Sequence, residues 1–109
     1  MYAVIFRAEI ADADAEYSGA ASRLRDLALS EYGCVEFTSC TEGQREIAIS
    51  YWETLEQISR WKQNALHRDA QEKGRSRWYR SYTVEVVELL RSYGSVPDPV
   101  ESQASSNRY

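Results

Sequence analysis

The sequence has no apolar run that approaches the length of a membrane span, so no transmembrane helix is expected. The opening MYAVIFRAEI lacks a basic n-region and is too short for a signal peptide, which points to a cytoplasmic protein. It has one histidine and two cysteines, too few and too scattered for a zinc set, and no Ser-His-Asp spacing stands out. Five dispersed glycines form no phosphate- or dinucleotide-binding loop, so neither flavin nor nicotinamide is expected and no cofactor is assigned. A coherent basic face is missing as well. Acidic residues outnumber basic ones 17 to 13, the formal net charge is −4, and the two signs are interspersed, which argues against nucleic acid as a partner.

At 109 residues the chain has room for one domain, and a domain of this size hides roughly two-thirds of its unfolded surface. Cys34 and Cys40 fall on one presumptive strand, where their Cα atoms would lie about 20 Å apart, so both are expected as free thiols. That suits a reducing compartment.

Tyr2 to Ile10 alternates with period two and predicts a strand. Asp12 or Asp14 can cap the helix that follows. From Ala15 to Tyr32, Tyr17, Ala20, Ala21, Leu24, Leu27 and Ala28 make one apolar face, and Gly33 suits the C-terminal end. Gly19 inside this helix suggests close packing on a sheet. Cys34 to Thr41 and Arg45 to Trp52 read as a hairpin around Glu42-Gly43-Gln44. Thr54 and Gln57 fit a capping box that opens a second helix burying Leu55, Ile58 and Trp61 and ending at Lys73-Gly74-Arg75. A final strand runs from Trp78 to about Arg91, with a bulge expected before Leu89. Residues 94–109 hold both prolines and four serines and read as a flexible tail outside a domain of residues 1–93.

The order β-α-β-β-α-β predicts a ferredoxin-like α+β fold: a four-stranded antiparallel sheet with helices on one face. The open face would carry exposed apolar residues, so a homodimer through that face is expected.

Candidate functional residues concentrate between Tyr51 and Tyr82, which contains all three tryptophans and the histidine. Beyond Trp61 the helical stripe turns polar: Asn64, His67 and Gln71 continue one face at spacings of three and four. Large aromatics beside uncharged hydrogen-bonding groups suit a pocket for a planar organic molecule. Asn64, His67 and Trp61 are the candidate catalytic groups, with Trp52, Gln71, Arg75, Trp78 and Tyr82 as substrate-binding candidates. Each tryptophan also fits as plain core, and His67 as a surface or capping residue. Lys73, Arg75, Arg77 and Arg80 fall within eight residues, either as a solvated loop or as an anion-binding lip.

The run EIAISYWETLEQISRWKQNALHRDAQEKGR, followed by WYRSYTVEV, resembles the antibiotic biosynthesis monooxygenase domain family over about residues 1 to 93. The resemblance implies the fold given above, a dimer with interlocked sheets, and a cavity between helices and sheet. It also implies a choice of activities. One is a cofactor-independent monooxygenase acting on a phenolic or hydroquinone-type aromatic molecule; the alternatives are a non-catalytic aromatic-ligand-binding or stress-response module and a haem-binding or haem-degrading protein. The haem-degrading relatives would place an Asn on the first strand, a Trp on the second helix and an axial His ten residues later. Here Trp61 fits, but Gln71 stands at the third position and Phe6 and Arg7 at the first, leaving His67 as the only imidazole.

Overall fold

The structure, a computed structural model, describes residues 1–95. Strand β1 (Tyr2–Ile10) leads to helix α1 (Ala15–Glu31), the hairpin β2 (Glu36–Glu42) and β3 (Arg45–Trp52), helices α2 (Leu55–Lys62) and α3 (Ala65–Lys73), a π-helical turn over Gly74–Trp78, and β4 (Tyr79–Glu88). The four strands form one antiparallel sheet in the order β2-β3-β1-β4. This is the α+β ferredoxin-like fold that the order of periodicities predicts.

Register decides which side chains meet. Phe6 pairs with Ala48 and Val84, and Ala8 with Glu46 and Tyr82, so these residues share the helix-covered face with Phe37 and Ser39 of β2. Ile5, Ile47, Ile49, Tyr51 and Val87 share the opposite face by the same pairing. Under the helices the core is split in two. One cluster joins Val4, Ala28, Cys34, Trp52, Ile58 and Trp61; the other joins Ile10, Tyr17 and Trp78.

Local chemistry sets the helix ends. The Tyr17 amide donates to Asp14 Oδ1 at 2.9 Å, so Asp14 is the cap of α1. Thr54 and Gln57 close a capping box at the start of α2, the two bonds measuring 3.1 and 3.2 Å. Gly33 takes φ +83° after α1, in the left-handed region, and a Cβ there would also lie 2.5 Å from Gln57 Nε2.

Several expectations need correction. The second helix is two helices: at Gln63 and Asn64 the chain breaks and restarts, because the Asn64 side chain caps α3 instead of extending α2. The helical course then runs past Lys73 through the π turn to Trp78, and β4 begins at Tyr79 and ends at Glu88. The irregularity lies in the pairing of β1 with the start of β4, where the register shifts between Glu9 and Ile10; Leu89 follows the strand. Cys34 precedes β2 and is buried, with its thiol donating to the Glu36 carbonyl at 3.2 Å, whereas Cys40 is exposed on β2; both are free. Leu55 is 52% exposed, as the first residue of α2 points outward from the core. A Cβ at Gly19 would meet only the Arg23 side chain, at 3.4 Å, and not the sheet. Most of the expected tail, residues 96–109, lies outside the described residues.

Candidate functional site

The sheet and the helices do not close on each other completely. Between the two core clusters they leave a cavity of about 310 Å³, the share of liquid water taken by about ten molecules. Small residues create it. Ser18, Ala20, Ala21 and Ser22 of α1 and Ser39 and Ala48 of the sheet all line this space, and Ser18, Ala21, Ser22 and Ser39 are exposed at its rim.

One end of the cavity is built on Trp61. Its indole N–H donates to the Leu24 carbonyl at 3.1 Å and ties α2 to α1. Its ring lies 5.3 Å from Trp52, 6.0 Å from Phe37 and 4.4 Å from His67, the last contact edge-on at 84°. His67 Nδ1 is buried without a hydrogen-bond partner. Burial, with a contribution from the Lys62 charge, pushes the imidazole down to about 4, so near neutral pH it is uncharged.

The other end is built on Tyr17, Trp78 and Tyr79. Tyr17 meets Trp78 at 5.3 Å and Tyr79 at 5.7 Å, both edge-on, while Phe6, Tyr79 and Tyr82 pack with centroids 5.4 to 6.0 Å apart. Trp78 is 2% exposed, and its indole N–H is buried without a partner. The Tyr17 hydroxyl donates to Glu46 Oε2. Burial and then this carboxylate push the Tyr17 phenol far above the ordinary tyrosine range. Burial, followed by the nearby Glu46 charge, pushes Tyr79 up to about 12 against the opposing effect of its bond with Tyr17.

Of the eight residues singled out in the sequence, the fold brings Trp61, His67, Gln71, Trp78 and Tyr82 to the cavity wall. It places three outside the lining. Trp52 is fully buried in the first core cluster, its N–H donating to Ser50 Oγ at 2.8 Å. Asn64 is spent on structure: Oδ1 accepts from the Leu66 amide at 2.8 Å, and Nδ2 donates to the Tyr32 hydroxyl at 3.0 Å. Arg75 is exposed on the π turn. Its neighbours do not form an anion-binding lip. Lys73 pairs with Glu16 at 2.8 Å and with Asp69 at 3.0 Å, Arg77 pairs with Glu16, and Arg80 reaches Glu9 at 3.4 Å. Tyr17, Glu46 and Tyr79 were missed as site residues. Glu46 carried a signal: it shares strand parity with Ala48, Ser50 and Trp52, so a carboxylate stood on the face meant for burial.

Among the described residues no cluster of three or more His, Cys, Asp or Glu side chains is placed to hold a metal ion, and no helix is long and apolar enough to cross a membrane.

No family model matches the chain. Solved structures share its architecture closely. A putative antibiotic biosynthesis monooxygenase from Nitrosomonas europaea superposes with a TM-score of 0.70 at 15% identity, covering 84% of this chain and 100% of that one. SnoaB, a cofactor-independent oxygenase from Streptomyces nogalater solved as a point variant, gives 0.69 at 15% identity over 89% and 97%. Rv0793 from Mycobacterium tuberculosis gives 0.73 at 14% identity over 85% and 98%. The fold is therefore that of the antibiotic biosynthesis monooxygenases. By sequence, the chain is 38% identical over 91 residues to the uncharacterized protein YqjZ of Bacillus subtilis (strain 168), a match spanning 83% of this chain and 80% of that protein. The chain belongs to the family of YqjZ.

Proposed function

We propose that the protein is a cofactor-independent monooxygenase whose cavity binds a phenolic or hydroquinone-type aromatic molecule. The observation that carries this is the cavity itself: about 310 Å³ between two groups of aromatic rings, with a wall whose surface is mostly apolar. That is the size and make-up of a small-molecule site. In such a reaction the ligand's anion passes electrons to O₂. One oxygen atom ends in a new carbonyl, and the other leaves as water with the two hydrogens lost from the ring. The protein's part is to hold the ring, favour its anion and keep water out.

Trp61, Trp78 and Tyr82 wall the ring in this proposal. His67 and Gln71 are the polar groups of α3 that face it, with the imidazole neutral. Trp52, Asn64 and Arg75 act from outside the wall; Asn64 is a positioning residue that holds the start of the helix bearing His67 and Gln71.

Oxygen uptake with anthrones and naphthohydroquinones tests the proposal. Turnover that falls at least about tenfold in Trp61→Phe supports it. Binding of the same compounds without uptake points instead to an aromatic-ligand-binding module. A Soret shift on adding haemin, lost in His67→Ala, would replace both with a haem-binding protein.

We further propose a homodimer through the open sheet face, where Ile47 and Val87 are 38% and 39% exposed beside Ile5, Ile49 and Tyr51. A monomer by light scattering at micromolar concentration would refute it. Two unpaired cysteines fit a cytoplasmic protein.

A further inference from the structure

The two ends of the cavity differ in charge as well as in shape. At the Tyr17 end stands Glu46, among the described residues the one acidic side chain in the lining. Its carboxylate accepts from the Tyr17 hydroxyl through Oε2 and from the Thr41 hydroxyl through Oε1 at 3.4 Å. A carboxylate can accept about four hydrogen bonds, so this one retains capacity. The Tyr17 and Tyr79 phenols beside it are held protonated, which leaves Glu46 as the local negative charge.

At the Trp61 end the charged lining group is a cation. Lys62 directly follows Trp61, is half-buried, and lies near enough to His67 for its charge to disfavour the imidazolium. Arg25 adds a second cation from the exposed side of α1. An amine ligand would therefore meet like charge at one end, and a ligand with acidic groups at both ends would meet it at the other. Apolar walls between them leave little room for a further charge.

We propose that the cavity is polarised end to end: Glu46 accepts a hydrogen bond from a hydroxyl on a bound planar aromatic molecule, and Lys62 faces an acidic or carbonyl oxygen at its opposite edge. The ligand class is thus hydroxylated aromatic acids and ketones. Tyr17 is a positioning residue that aims the Glu46 carboxylate. The inference rests on the aromatic-ligand reading of the cavity and does not require turnover.

Calorimetric titration with three probes tests it: 6-hydroxy-2-naphthoate, 2-naphthoate without the hydroxyl, and 2-naphthol without the acid. The hydroxynaphthoate should bind about tenfold or more tightly than either truncated probe, the usual scale for a charge-assisted hydrogen bond. Glu46→Gln should shrink the advantage over 2-naphthoate to about threefold or less, and Lys62→Met should do the same for the advantage over 2-naphthol. Tyr17→Phe provides a second route should Glu46→Gln fail to fold. It should shrink the advantage of the hydroxynaphthoate over 2-naphthoate to about threefold or less, whatever it does to the two affinities together, a change of ranking that general loosening of the fold would not give. Equal affinities for the three probes, a hydroxyl preference that survives Glu46→Gln, or no binding of any probe at millimolar concentration would overturn the proposal. Binding with the predicted ranking but no oxygen uptake with any phenol would leave it standing and remove the monooxygenase; uptake without the ranking would do the reverse.

Discussion

His67→Gln should remove much of the acid sensitivity that burial of this imidazole builds into the fold. In the unfolded chain the ring titrates near 6.5, and in the cavity wall burial and Lys62 bring it to about 4. Between those values the unfolded state binds a proton that the folded state refuses, so stability rises with pH across the window. The neutral ring's advantage is fully present above about 6.5 and is lost as pH falls towards 4. The full span corresponds to about 3 kcal/mol at about 1.4 kcal/mol per unit, and a comparison of pH 7 with pH 4.5 should capture about 2 kcal/mol of it. Urea unfolding of the native protein and of His67→Gln at both pH values is the assay. Glutamine stays neutral throughout, and the carboxylates common to both proteins cancel in the difference. The native protein should lose about 2 kcal/mol more than the variant between pH 7 and pH 4.5. Equal losses would show that His67 is solvated and protonates freely, which would undo both its burial and its placement as a neutral group facing the ligand.

Two substitutions probe the frame of the site. Gly74 has an ordinary helical φ of −60°, but a Cβ there would come within 2.6 Å of Tyr79 Cε2, so Gly74→Ala should shift that ring and destabilise by about 1–3 kcal/mol, read as a fall in Tm. An unchanged Tm would mean that Tyr79 is not held against the π turn. Asn64→Ala should cost about 1–2 kcal/mol through the lost α3 cap and the abandoned Tyr32 hydroxyl, measured by denaturant midpoint. If it abolished turnover with no loss of stability, Asn64 would have to touch the ligand instead of positioning α3.

Strands β1 and β3 were legible to the residue because their apolar positions alternate against charged or small ones, and such alternation is a property of neighbours in sequence. The caps at Asp14 and Thr54 were legible for the same reason: the partner lies three residues away. The break at Asn64 was harder to see. Asn64, His67 and Gln71 keep helical spacing on paper, and only the bonds from Asn64 to Leu66 and to Tyr32, 32 residues earlier in the chain, show the chain restarting. The polar continuation of that face was informative in part, since His67 and Gln71 reach the cavity wall and Asn64 does not. The basic cluster stayed open between a solvated loop and an anion-binding lip because two of its partners, Glu9 and Glu16, sit in distant elements.

By itself the sequence determined the order of elements, the two alternating faces of strands such as β1 and β3, and so the ferredoxin-like sheet with one side uncovered. These follow from periodicity, which neighbouring residues carry among themselves. Tertiary structure alone decided where the helices fail to meet the sheet, and therefore that small residues of α1 and of the sheet line one cavity. It also decided that Tyr17 and Glu46, 29 residues apart, meet at one end while Trp61 and His67 close the other. A cavity is the volume that elements leave between them, and no single stretch of chain encodes it.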